Sequence, residues 1–211
     1  MKPIYSRETM DWTLISKKEV YSGFLSIEEY ELTHELYAGG QTETITRQLM
    51  ERGHAVAVIL FDPQADKLLL IEQFRIGAKD DKDSAWLIEL VAGMIEPGEA
   101  GDDVVIRECR EEAGVEIKNY RELFTFYSSP GGCSEKISLY YAEVDSSIAG
   151  GIHGLASEDE DIRVIVMPYH QAILEMNNGK INSATPILGL QWLQLHHDDL
   201  VQNKSKGCND K

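Results

Sequence analysis

The chain has 211 residues, enough for one full core or a core with a smaller appendage, and its 43% hydrophobic and 27% charged content is that of an ordinary globular protein. Its formal charge of −16 repels nucleic acid, whose non-specific binding depends on Lys and Arg neutralising phosphates. No stretch approaches the roughly 18 apolar residues of a membrane span, and the start, MKPIYSRETMDW, has no apolar signal region; the expected location is cytoplasmic, without a membrane partner. To about residue 51 the pattern is three strands, 13–21, 24–32 and 42–50, the last entered through Gly39-Gly40, a hairpin signal. Three short strands bury too little to stand alone, so residues 1–52 are expected to pack on the main domain or on a second subunit.

From His54 the apolar runs lengthen. Residues 55–61 and 68–74 read as buried strands separated by an Asp62-Pro63 turn, and 86–95 as another closed by Glu96-Pro97-Gly98. Asp102 or Asp103 is placed to cap a helix that runs to Ala113, with Gly114 to terminate it. Strands follow at 123–128, 136–144 and 162–167, then helices near 170–177 and from Pro186 to Leu195. The polar residues 202–211 read as a disordered tail. Strands flanked by a few helices, without regular βαβ order, predict an α/β domain with a mixed sheet over residues 53–201. Cys109, Cys133 and Cys208 are odd in number and lack zinc-site spacing, which favours reduced thiols.

An acidic chain also repels small phosphorylated molecules unless a cation or local arginines invert the potential, so one that handles phosphates calls for metal. The stretch from Gly93 to Val115 is where such a site lies. It is a loop feeding a helix, with Glu108 and Glu112 at i, i+4 on one face and Glu111 at i+3. Val105, Ile106, Cys109 and Ala113 form a separate apolar stripe. Like charges at this spacing cost the helix a few tenths of a kcal/mol. Clustered carboxylates are what a hard cation such as Mg²⁺ binds. A solvated acidic face is the bland alternative for any such helix.

The flanking residues decide against the bland reading. Gly93, Glu99, Arg107, Glu108, Glu111, Glu112 and Gly114 fall at the seven named positions of the Nudix box, which this stretch resembles, and Val115 fills its last apolar slot. Cys109 stands where a larger aliphatic residue is usual, a matter of packing rather than chemistry. The resemblance implies an α/β/α sandwich, with a small N-terminal antiparallel β domain in this branch. It implies Mg²⁺ or Mn²⁺, two or more ions per site, held by Glu108, Glu112 and the backbone carbonyl of Ala92, with Glu111 a further ligand or water contact. Glu99 and Arg107 are implied as a pair bracing the loop.

Similarity continues outside the box to the bacterial members of that family that cleave ADP-ribose. It runs through Tyr21-Ser-Gly-Phe24, Glu51-Arg-Gly-His-Ala55, Leu70-Ile-Glu-Gln-Phe-Arg75, Gly151-Ile-His-Gly-Leu155 and Glu160-Asp-Ile-Arg163, and Pro130 is a mark of that branch. The implied reaction is hydrolysis of ADP-ribose to AMP and ribose 5-phosphate, with another nucleotide sugar such as GDP-mannose, or a non-catalytic ADP-ribose-binding module, as alternatives. By position in the downstream acidic loop, Glu158 is the expected general base and Glu160 a further metal ligand. Phe24 resembles the aromatic that stacks on adenine, Arg47 and Arg75 the arginines on the adenosine end or diphosphate, and Glu135 a contact to the terminal ribose. The resemblance also implies a homodimer with exchanged N-terminal strands, in which Phe24 and Arg47 serve the partner's site.

Overall fold

The computed structural model of the protein describes residues 9–207, with the backbone alone for Glu158 and residues 203–207. Contacts divide the chain into two units. The smaller takes the described residues through Gly53 together with Tyr127–Glu135. The larger takes 54–126 and everything from Lys136 onward.

In the smaller unit β1 (Trp12–Ser22), β2 (Ser26–His34) and β3 (Ile45–Glu51) make an antiparallel sheet in that order. The β1–β2 register runs from Trp12 opposite His34 to Ser22 opposite Ser26, shifted by irregularities near Ser16 and Tyr21. The segment Tyr127–Glu135 belongs here because it bonds to β3: Met50 N–H donates to the Gly132 carbonyl at 2.9 Å and Ser134 N–H to the Met50 carbonyl at 3.3 Å.

The larger unit is built on a mixed sheet whose edge-to-edge path is β10 (Ile152–His153), β11 (Ile162–Pro168), β5 (Lys67–Phe74), β4 (His54–Asp62), β9 (Lys136–Glu143) and β8 (Tyr120–Tyr127). β4 and β9 are parallel; β4–β5 and β5–β11 are antiparallel. Period-two alternation sorts β4 between two cores. Val56, Val58 and Leu60 face α1 (Gly101–Ala113), while Ala57, Ile59 and Phe61 face α2 (Tyr169–Asn177) and α3 (Ala184–Gly207). β5 does the same with Leu69 and Ile71 against Leu68 and Leu70. Helices cover both faces of the sheet, which accounts for unbroken apolar runs where one-sided strands would alternate. This is the expected α/β/α sandwich.

Three expectations are corrected. The strand expected over 86–95 is two, β6 (Trp86–Glu89) on β5 and β7 (Val91–Ile95) on β4, because the chain crosses between neighbours at buried Leu90. The cap of α1 is Ala100 and makes no side-chain bond; Asp102 and Asp103 lie in the first turn, where their charge suits the positive helix end, and Asp102 accepts the Tyr140 hydroxyl at 3.0 Å. Finally, α3 is helical through Gly207, past residue 202 where a tail was expected; the Gln and Lys residues of this stretch are good helix formers. His196 and His197 therefore sit inside the helix. His197 stacks on Tyr169 at 3.8 Å and meets Asp66 at 2.7 Å, and His196 stacks on Trp192. Cys109 and Cys133 are buried free thiols; Cys208 and the rest of 208–211 lie outside the described residues. Among the described residues no helix is long and apolar enough to cross a membrane.

Candidate active site

The site grows from the contact between α1 and β7. Glu108 and Glu112 are only 9% and 3% exposed, so the face they share points into the protein rather than to solvent. Glu108 lies across Gly93 so closely that a Cβ there would sit 1.8 Å from its Oε1. Gly93 is therefore required by the approach of a carboxylate. One turn on, Glu112 Oε2 accepts the N–H of Ala92 at 2.9 Å. Gly114 ends the helix at φ 65°, a left-handed conformation that glycine adopts without strain, and its N–H returns to the Arg110 and Cys109 carbonyls.

Arg107 gathers the other acids. Its Nη1 lies 2.7 Å from Glu108 Oε1 and 3.2 Å from Glu111 Oε2, and its Nε lies 3.2 Å from Glu99 Oε1. Glu99 also accepts the N–H of Glu96 at 3.2 Å, so the Arg107–Glu99 pair closes the loop that enters α1. One guanidinium thus offsets part of the repulsion among three carboxylates. It does not reach Glu112.

Burial pushes the Glu108 carboxyl up to about 7, against the pull of Arg107 and with added repulsion from Glu111 and Glu160. Burial pushes Glu112 further, to about 8; the Ala92 N–H and Arg75 favour its charged form, Glu108 and Glu160 oppose it. These couplings place Glu160 and Arg75 in the electrostatic neighbourhood of the pair. Glu160 arrives on the loop before β11. That loop is tied to the helix by the Gly154 N–H on the Glu111 carbonyl at 3.1 Å. It closes on itself through two bonds: Glu160 N–H to the Leu155 carbonyl at 3.2 Å, and Leu155 N–H to Glu160 Oε2 at 3.0 Å. Ala156–Glu158 form a short 3-10 turn between those residues, and the side chain of Glu158 lies outside the described structure.

Arg75, at the end of β5, pairs with Glu89 of β6 at 2.7 Å, and the other Glu89 oxygen lies 3.5 Å from the Ser183 hydroxyl. Glu89 is a site neighbour that sequence reasoning missed. Its place depends on β6 pairing with β5, and the apparent single strand 86–95 hid that pairing. The remaining sequence candidates belong to the smaller unit. Phe24 is 97% exposed in the β1–β2 turn. Arg47 lies on β3 opposite Tyr30, its Nη1 donating to the Thr46 carbonyl at 2.8 Å. Glu135 is buried and meets Arg52 at 3.2 Å.

Chemically, Glu108 and Glu112 are two desolvated oxygen donors whose charged forms are disfavoured as they stand. A divalent cation would supply the missing counter-charge, and the all-oxygen donor set suits a hard ion. Among the described residues no group of three or more His, Cys, Asp or Glu side chains converges as an ion site. Gly93→Ala should test this packing. The new methyl displaces the Glu108 carboxylate rather than backbone, so turnover should fall ~10²-fold, the scale of a lost electrostatic contact, with a modest drop in melting temperature. Activity within a few-fold of the parent would show that Glu108 need not lie against β7.

Buried helical carboxylates following a glycine strand, braced by an arginine on an α/β/α sandwich, define a class of hydrolase, and comparison with known proteins agrees. The family model described as NUDIX domain matches residues 51–185, and the chain belongs to the NUDIX family of hydrolases. It is 46% identical to the ADP-ribose pyrophosphatase of Escherichia coli strain K12 over 190 residues, 90% of this chain and 91% of that one. It is 44% identical to the ADP-ribose pyrophosphatase of Haemophilus influenzae over 206 residues, 96% and 95% of the two chains. A GDP-mannose pyrophosphatase of Escherichia coli O1:K1 is more distant, 32% identical over 193 residues, 90% of this chain and 98% of that one. The crystal structure of an ADP compounds hydrolase superposes with a TM-score of 0.64 over 98% of this chain and 100% of the other; at 19% identity it shows the shared fold.

Proposed function

We propose that the protein hydrolyses the diphosphate bond of ADP-ribose, giving AMP and ribose 5-phosphate. The observation that carries the reaction type is the buried Glu108–Glu112 pair with Arg75 in its field: two oxygen donors in want of a cation, beside a guanidinium suited to phosphate. The choice of substrate rests on the relatives, since identity to the two named for ADP-ribose is 44–46% against 32% to the one named for GDP-mannose.

In this reading Glu108, Glu112, Glu160 and the Ala92 carbonyl hold Mg²⁺ or Mn²⁺, two or more ions per site, with Glu111 as a water-mediated contact. When bound, such ions polarise phosphoryl oxygens, lower the pKa of water and offset the charge of the diphosphate. Arg75 orients the diphosphate. Glu158 takes the proton from the attacking water as the oxygen bonds to phosphorus and the phosphoanhydride bond breaks. The loop from Gly150 to Glu160, held to α1 through Gly154, positions that base. Phe24 stacks on adenine, Arg47 contacts the adenosine end, and Glu135 faces the terminal ribose.

We propose further that the protein works in the cytoplasm as a homodimer with exchanged N-terminal strands, bringing Phe24 and Arg47 to the partner's site. Supporting this, Trp12, Leu14, Ile15, Val20, Tyr21 and Phe24 are all exposed in the single chain, an apolar surface of the kind a second copy covers. No nucleic-acid or membrane partner is part of the reading.

The deciding experiment incubates the purified protein and Mg²⁺ with ADP-ribose, GDP-mannose and other nucleoside diphosphate derivatives. The expected result is AMP released from ADP-ribose with the highest kcat/KM of the panel. Faster cleavage of GDP-mannose would reassign the substrate, and tight ADP-ribose binding without AMP release would make the protein a binding module.

A further inference from the structure

The catalytic face of the sheet carries one polar side chain that the proposed reaction leaves without work. Gln73 of β5 is 8% exposed, and its Nε2 is fully buried with no hydrogen-bond partner among the described residues. A buried amide donor left unmade costs about 1–3 kcal/mol, so its presence asks for an acceptor. Strand alternation fixes its direction. Leu69 and Ile71, two and four residues before it, belong to the core shared with Val104, Val105 and Cys109 of α1, so Gln73 stands on the same side of the sheet as α1.

Its surroundings on that side belong to the site. Arg75 follows two residues on, just past the end of the strand, and meets Glu89, which lies on β6 opposite Ile71. On the other flank β11 pairs with β5 up to Arg163 opposite Glu72, so the chain reaches the level of Gln73 at Ile162, two residues after Glu160. β6 continues the pairing at Leu87, directly opposite Gln73. Gln73 is thus bracketed by the strand ends that bring Arg75, Glu89 and Glu160 together. The nearby carboxylates bond elsewhere: Glu112 accepts the Ala92 N–H, Glu89 meets Arg75, and Glu160 accepts the Leu155 N–H. Among the described residues none accepts from Gln73 Nε2, which leaves room for an acceptor brought by a bound ligand.

We propose that Gln73 is a substrate-binding residue whose amide N–H donates to a phosphoryl oxygen of the diphosphate that Arg75 orients. The assignment rests on the reading of the site as one that cleaves nucleoside diphosphates. A neutral donor suits this position. It contributes a directed bond to a phosphoryl oxygen without competing, as a second cation would, for the carboxylates that hold metal.

The test compares the parent with Gln73→Met, which keeps the volume and removes the donor. The expected result is a loss of about 10–10²-fold in kcat/KM for ADP-ribose, approaching the scale of a deleted oxyanion donor, and weaker ADP binding in the presence of Mg²⁺. The melting temperature of the ligand-free protein should stay the same or rise, because an unsatisfied buried donor has been replaced by an apolar group. Gln73→Glu, which exchanges the donor for a negative charge facing the phosphates, should lose more than Gln73→Met at pH 8. A Met variant within about threefold of the parent in both kcat/KM and ADP affinity overturns the proposal, the expected loss being at least tenfold. So does a loss of activity that merely follows a fall in melting temperature, since that marks a structural amide. If the parent itself releases no AMP from ADP-ribose, the functional reading falls separately, and ADP affinity alone decides Gln73: weakened supports the donor, unchanged rejects it.

Discussion

Replacing Glu112 with Gln should give a protein at least ~10²-fold slower in kcat that is nevertheless harder to melt at pH 8 in the presence of chelator. Both halves follow from burial. Glu112 is 3% exposed and its carboxyl is pushed up to about 8, chiefly because the charged form is desolvated. A glutamine carbonyl can still accept the Ala92 N–H, so the helix stays docked on β7 while the charge disappears. The unfolded chain releases this proton near 4.5 and the folded one near 8, so the group favours folding fully below 4.5 and loses that advantage as pH rises towards 8. At about 1.4 kcal/mol per pKa unit, the charge costs the cation-free protein on the order of 2–4 kcal/mol at alkaline pH. The Gln variant escapes it, gaining roughly 5–10 °C at pH 8 and little at pH 5. Parent-like turnover by the folded variant would remove Glu112 from the metal site. A lower melting temperature at pH 8 would show that its charge is compensated in some other way.

The second large effect concerns the cation. Stripping divalent metal should abolish hydrolysis and expose the paired titration of Glu108 and Glu112, whose carboxyls are raised to about 7 and about 8. Both shifts are upward, so both contributions have the same sign and are lost over the same window, from about pH 5 to pH 8. The melting temperature in chelator should therefore fall steadily across that window, while saturating Mg²⁺ should hold it nearly level by binding the charged carboxylates of the folded state alone. The gap between the two curves should be near zero at pH 5 and at least ~5 °C at pH 8, each kcal/mol being worth about 2–4 °C in a chain of this size. Undiminished turnover in excess chelator, or two parallel melting curves, would mean that these carboxylates do not hold the ion.

The chemistry was more legible in the sequence than the architecture around it. The spacing of Glu108, Glu111 and Glu112 announced a cluster, and Gly93 and Gly114 marked the ends of the loop–helix–loop. What spacing cannot convey is depth. Glu108 and Glu112 are buried because β7 lies beneath them, and β7 exists as a separate strand only because the chain leaves β5 for β4 at Leu90. The same crossing places Glu89 against Arg75, a pairing between residues 14 positions apart that no local periodicity encodes. Apolar runs identified β4 and β9, but their parallel alignment, Ala55 opposite Ile137, is a long-range choice made by packing on both faces. Helix ends fared worst. Ala100 begins α1 without a capping side chain, and α3 continues through residues whose polarity suggested disorder.

One strand-to-strand excursion has a bearing on how the polypeptide is made. The chain leaves the smaller unit after Gly53 and comes back for Tyr127–Glu135, whose Gly132 and Ser134 bond to Met50. A nascent N-terminal sheet emerging from the ribosome thus waits for more than seventy further residues before its last hydrogen-bonding partners appear. Severing the backbone at residue 53 would part the N-terminal sheet from the Tyr127–Glu135 segment of its own unit, so that junction is not a point at which recombination could trade the unit whole.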